Sequence, residues 1–148
     1  MTTIHNEITI HAPVESVWQV LADLEQVQHY NPLVAHTKYI SENKMGLGAA
    51  RHCDFKPKGF SKERVIEFTS QEVIGFEIIE SSFPMVFSRW RTILKPVEQG
   101  TLVSQDMEYQ LKFGAIGGLM DVLIVRRKYK KILDDIFQGL KRYTEARQ

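Results

Sequence analysis

The chain has a single cysteine, Cys53. No disulfide can close within it, and a reducing compartment, the cytoplasm, is the expectation. Charge of neither sign dominates: 19 Lys and Arg stand against 18 Asp and Glu, leaving a net +1. No global field points to nucleic acid or membrane, and no nucleic-acid recognition motif is present. Long apolar runs are missing. The longest near the C-terminus, Ala115 to Val125, is cut by Asp121 and is too short to span a bilayer. No basic region followed by an apolar run opens the chain, so no signal peptide is expected. The five histidines, His5, His11, His29, His36 and His52, lack metal-ligand spacing. His52, Cys53 and Asp54 are consecutive on an expected strand, so Cys53 points away from the other two and the three cannot close on one ion. Gly46-Leu47-Gly48 leads into a strand rather than a helix and is no dinucleotide fingerprint. No nucleophile elbow is identifiable. Neither metal nor cofactor is expected.

What is present suits a globular protein with a real core: 148 residues, 43% hydrophobic and 25% charged, read as one domain over residues 1–148. Ile4, Ile8 and Ile10 share one face of a first strand by period-two alternation. Pro13 suits a first helical turn, where its missing N–H is harmless. Val14, Val17, Trp18 and Leu21 then make one apolar helical face, with Trp18 read as core. Asp23 and Gln26 have capping-box spacing, predicting a second short helix through Tyr30, ended by Asn31-Pro32. Asn31 in that turn is read as serving the backbone. From Leu33 to Phe113 turn signals at hairpin-like intervals predict about six antiparallel strands. Gly114, Gly117 and Gly118 break the pattern, and one long helix runs on to about Arg147. Its stripe is Val122, Val125, Tyr129, Ile132, Leu133, Ile136, Leu140 and Tyr143.

The last hairpin can be read in register. If Pro96 faces Thr101, then Val86, Ser88, Trp90, Thr92 and Leu94 share a face with Val103, Gln105, Met107, Tyr109 and Leu111. The other face sets Arg91 opposite Asp106 and Arg89 opposite Glu108, favourable pairs for a solvated surface.

Four motifs in this order resemble the helix-grip fold of the START-related superfamily. They are Ile10-x-Ala12-Pro13-x-x-x-Val17-Trp18, then Gly48-Ala49-x-Arg51, then Glu63-Arg64-Val65 with Val73-Ile74-Gly75-Phe76-Glu77-Ile78, and Gly100-Thr101-x-Val103. The superfamily includes polyketide cyclase/dehydrase-like and lipid-transport proteins, birch-pollen-allergen relatives and plant abscisic-acid receptors. The resemblance implies an α+β fold: a curved antiparallel sheet of about seven strands wrapped round a long C-terminal helix, two short helices after strand 1, and an internal cavity. It places Asn31 and Leu33 near the cavity, Arg51, Cys53 and Phe55 inward on the third strand, and Glu63 inward on the fourth. Phe76 and Ile78 follow on the fifth, with Phe83 and Met85 at the mouth. Ser88, Trp90, Met107 and Tyr109 coincide with the inward face of the last hairpin. One conflict stands. The resemblance turns Glu63 and Val65 inward, whereas alternation alone buries Ile66 and Phe68 beside Ile74, Phe76 and Ile78.

Three functions compete. The first is binding or transport of a small hydrophobic ligand, such as a lipid, an isoprenoid or a polyketide-like molecule. Aromatic and thioether side chains line such a cavity, and Glu63, with Arg51, supplies polarity. The Gly114–Gly118 segment and the Ser82–Met85 turn gate it. The alternative for Glu63 is a structural carboxylate paired with Arg51 or Arg64. Cys53 reads as a small buried hydrophobe, since no basic partner activates it. The second function is a polyketide aromatase/cyclase or dehydratase, with Tyr109, Glu63 and Arg51 converging as acid/base groups. The third is a protein- or membrane-interaction module resembling coenzyme Q-binding proteins. Here Met120 and Ile124, off the buried stripe, join Arg126, Arg127, Lys128, Lys130 and Lys131 in contact with an anionic membrane or acidic partner. For the basic run the simpler reading is a solvated helix face.

Overall fold

The computed structural model describes residues 1–148. β1 (Thr2–Ile10) leads into α1 (Val14–Ala22), a 3₁₀ turn (Leu24–Gln26) and α2 (Val27–Tyr30). Six strands follow: β2 (Val34–Tyr39), β3 (Ala50–Phe55), β4 (Phe60–Thr69), β5 (Val73–Ser81), β6 (Met85–Val97) and β7 (Gly100–Leu111). α3 (Gly114–Met120), a π-helical turn (Asp121–Val125) and α4 (Arg126–Ala146) complete the chain as one helical span of 33 residues. The seven strands form a single antiparallel sheet in the order β1-β7-β6-β5-β4-β3-β2. This is the helix-grip architecture that the motifs imply. No helix is long and apolar enough to cross a membrane.

Pro13 stands one residue earlier than expected, at the N-cap of α1, with extended backbone. Asp23 caps the next turn as its spacing predicts: it accepts from the Glu25 amide, and the Gln26 side chain donates to it at 3.0 Å. The core joins both layers. Ile10, Val17, Trp18, Leu21, Leu24, Ile74 and Val103 pack with Phe137 and Leu140 of α4. α4 lies so close to the end of α2 that a Cβ on Gly139 would meet the Tyr30 carbonyl oxygen at 2.0 Å.

The β6–β7 register is the expected one from Ser88↔Tyr109 to Pro96↔Thr101. It shifts at one end, where Met85 rather than Val86 pairs with Leu111; Val86 sits in a bulge and faces water. Arg89 bonds Glu108 as expected. Arg91 does not bond Asp106. Arg91, Gly75 and Glu67 are successive cross-strand neighbours, and because Gly75 has no side chain the guanidinium reaches over it to Glu67 at 2.7 Å. Asp106 is bonded instead by its own β1 neighbour, His5, at 2.7 Å.

A bulge at Ile66 also settles the competition on β4. Val65 pairs with Phe76 and Glu67 with Gly75, leaving Ile66 unpaired and exposed. The extra residue shifts the alternation by one. Glu63 and Val65 therefore face inward before it, and Phe68 packs inward on Trp18 after it, with ring centroids 5.1 Å apart.

Two expectations about the C-terminal region are corrected. Gly114, Gly117 and Gly118 are not a flexible loop but the first turns of the helix. Gly117 is its seat: a Cβ there would meet the Lys112 carbonyl oxygen at 2.1 Å. Val122 is exposed rather than part of the buried stripe, and Asp121 is buried in its place. The π turn inserts a residue and rotates the face presented to the sheet.

Candidate functional site

Between the sheet and the C-terminal helix lies a cavity of about 640 Å³, hydrophobic at 21 of its 31 lining residues. That volume falls within the usual range for small-molecule sites, and the lining suits an apolar occupant. The walls come from alternate residues of the strands, so each inward side chain follows from the register. Cys53 and Phe55 of β3, Phe76 and Ile78 of β5, Trp90 of β6 and Met107 of β7 all face it. Phe76 and Trp90 are direct cross-strand partners, and their rings stack at 5.3 Å. α4 closes the opposite side with Tyr129, Ile132, Leu133 and Ile136. Phe83 and Met85 stand with Lys56, Pro57 and Lys58 on the lining contributed by the β3–β4 and β5–β6 turns.

Polar groups are few and mostly satisfied by one another. Arg51 and Glu63 are cross-strand neighbours; Arg51 Nε donates to Glu63 Oε1 at 2.8 Å. Ser61 Oγ donates to the other carboxylate oxygen at 2.6 Å, and Arg51 also donates to the Leu24 carbonyl at 3.1 Å. The guanidinium lies over the Phe76 ring, 4.6 Å from its centroid. Burial works against the Arg51 charge, but the Glu63 carboxylate outweighs it and raises the guanidinium pKa. Tyr30, at the same end, is pushed up by burial against the pull of the Arg51 charge. A second pair, Thr92 Oγ1 donating to Gln105 Oε1 at 3.0 Å, also lines the cavity.

Cys53 is buried as expected: burial pushes its thiol up to about 11, Glu63 adds to the shift, and Thr37 Oγ1 donates to the sulfur at 3.5 Å. Asn31 serves the backbone as expected, its Oδ1 accepting from the Leu33 amide at 3.0 Å. His52 and Asp54 are bonded at 2.9 Å on the outer face, and nowhere do three or more His, Cys, Asp or Glu side chains cluster as metal ligands would.

Two expected site residues lie elsewhere. Tyr109 is wholly buried beneath the start of the helix, outside the cavity lining, and its hydroxyl donates to Asp121. Ser88 is buried beside it in the ladder, its hydroxyl unpartnered and also off the lining. The nearby Tyr129 phenol is pushed up to about 12 by burial. Of the three groups that a catalytic reading brings together, Arg51 and Glu63 therefore meet, and Tyr109 does not join them. Asp121, which in the sequence only interrupts an apolar run, is a buried carboxylate. It accepts from Thr2 and Tyr109, and from Arg126 at 3.0 Å. Burial works against its charge, but these three donors outweigh it and hold the carboxyl below its ordinary pKa.

Lys56, Lys58 and Lys128 also stand on the lining, and no pattern in the sequence points to them. All three are exposed and none is paired with a carboxylate. Thr92 and Gln105 were legible, since the hairpin register puts both on the inward face. Phe137 was not, because it falls one position off the stripe.

Known proteins share this architecture. The chain is similar to TTHA0849 from Thermus thermophilus, at 20% identity and a TM-score of 0.83 over 99% of each chain. A START superfamily protein from Mycobacterium smegmatis aligns over 99% of each chain at 14% identity, with a TM-score of 0.82. Ara h 8.0201 aligns over 98% of each chain at 14% identity, with a TM-score of 0.79. At these identities the likeness is one of fold. No curated protein matches significantly. The profile of one family covers residues 1–145, and the chain belongs to that family: polyketide cyclase / dehydrase and lipid transport.

Proposed function

We propose that this protein binds a small hydrophobic molecule in its internal cavity and carries it. Lipids, isoprenoids and polyketide-like aromatics are the ligand classes that fit the lining. The observation that carries this reading is the cavity itself: about 640 Å³ of space walled by aromatic, aliphatic and thioether groups where a filled core would otherwise stand. A ligand gains roughly 25 cal/mol for each Å² of apolar surface removed from water. The internally paired Arg51 and Glu63 offer no net charge to the interior, which favours a neutral ligand body. Thr92 and Gln105 are the groups best placed to orient it by hydrogen bonding. The Ser82–Met85 turn governs access. A cytoplasmic site of action belongs to this reading and rests on the single free thiol of Cys53.

Titration with the neutral fluorophore N-phenyl-1-naphthylamine tests it. Wild-type protein should give saturable enhancement. Ile132→Trp, which places an indole in the cavity from α4, should abolish it while leaving the melting temperature unchanged. An absence of saturable binding to wild type, or equal binding to a folded I132W, would refute the proposal.

A further inference from the structure

The end of the molecule around the helix start carries an apolar surface that nothing in the chain covers. Ile116, Leu119, Met120, Val122, Leu123 and Ile124 are all between 47% and 70% exposed. They follow one another over the successive turns of Gly114–Val125, where Gly117 and Asp121 are the buried positions. Phe113, immediately before them, is 68% exposed and has a left-handed backbone, φ 79°. A bulky residue is strained there, and no packing within the chain compensates it. A contiguous exposed patch of this kind marks an interaction site.

The patch is continuous with the cavity. The Lys112 amide donates to the Pro84 carbonyl at 2.9 Å, joining the start of the helix to the Ser82–Met85 turn. Exposed Phe83 lies in that turn and exposed Val86 directly follows it, and Val125 and Lys128 at the far end of the patch line the cavity.

Charge selects the occupant. Between Lys112 and Lys131 there are six basic residues and one acid, in a chain whose net charge is +1. The acid, Asp121, is buried and bonded to Arg126. Lys130 and Lys131 pair with Asp134 and Asp135 on their own helix. Lys112, Arg127 and Lys128, with Lys56 and Lys58 across the cavity lining, have no carboxylate partner. A second copy would bring a like set of cations against this one. An exposed apolar patch edged by unpaired cations instead suits an anionic lipid surface, where the patch enters the acyl boundary and the cations meet phosphates.

We infer that this end of the protein docks on anionic membranes through the Gly114–Val125 helix, Phe113, Phe83 and Val86, setting the cavity mouth against the bilayer. The test is co-sedimentation with vesicles of pure phosphatidylcholine and of 7:3 phosphatidylcholine to phosphatidylglycerol. Wild type should bind the anionic vesicles at least tenfold more tightly, with binding weakened by 0.5 M NaCl. Leu119→Asp combined with Leu123→Asp should abolish binding, and Lys112→Glu combined with Arg127→Glu, neither of which lines the cavity, should weaken it tenfold or more. These are surface positions, so thermal melts should match wild type, and N-phenyl-1-naphthylamine should still bind. Failure of the fluorophore alone speaks against the cavity reading. Failure of vesicle binding alone, or binding that survives L119D/L123D, overturns this one. So does light scattering that shows a wild-type dimer split by L119D/L123D without any vesicle binding.

Discussion

Arg51 and Glu63 are the residues whose chemistry is most constrained by their surroundings. Their side chains are 5% and 8% exposed, so neither charge has water to fall back on. Breaking such a pair leaves an uncompensated buried charge, whereas removing both ions together is far less damaging. Glu63→Gln should therefore lower the unfolding free energy by about 3–5 kcal/mol, read from urea denaturation. Arg51→Met with Glu63→Leu should recover most of that loss; a double variant as unstable as the single one would show that the pair is not the origin. Asp121 makes a second residue-scale case, with a defined pH signature. Its pKa is lowered in the folded state. Its contribution to stability is thus fully present above the ordinary carboxylate range and is lost as pH falls through the depressed value. Asp121→Asn should destabilise more at pH 7 than at pH 3. An equal loss at both pH values would contradict the assignment.

At the scale of elements, the fit of α4 against α2 inverts an ordinary rule. Glycine to alanine inside a helix usually stabilises it by about 1 kcal/mol. At Gly139 the added methyl meets the Tyr30 carbonyl oxygen, so Gly139→Ala should destabilise by roughly 1–3 kcal/mol, the usual range for overpacking. A rise in melting temperature would show that the helices separate freely. The elements themselves were legible because their periods are strong: Ile4, Ile8 and Ile10 on β1, the Leu133–Ile136–Leu140 stripe on α4, and the alternation that sets β6 against β7, with Arg89 bonded to Glu108 across it. What escaped were the places where an extra residue shifts the phase. On alternation alone Val65-Ile66 offers two adjacent apolar residues and no clue to which one is unpaired; the family resemblance turned Val65 and Glu63 inward, as the structure has them. Val86 and Val122 fail for the same reason, one at a bulge and one at a π turn. Where the partner of a charge was misjudged, as for Arg91, the determinant was the missing side chain of Gly75 on a third strand.

For the molecule as a whole, the inward faces of the strands were enough to place most of the cavity wall, because each alternation that makes the sheet also fills its concave side. Tyr109 and Ser88 share that inward face but lie where the helix packs down on the ladder, and only the tertiary position of Asp121 shows this. The lysines on the lining carry no periodic signal at all. The docking role proposed for this end rests on the contrast between a nearly neutral chain and its basic, apolar end, a contrast that summed charge conceals. The cavity and the exposed apolar end beside it both fit the activity proposed above, the uptake of an apolar molecule and its retention in the cavity. The most direct measurement is native mass spectrometry of wild type and I132W after each is incubated with a total lipid extract. A small non-covalent adduct on wild type that is absent from I132W is the expected result, and identical, bare spectra for the two proteins would contradict the account.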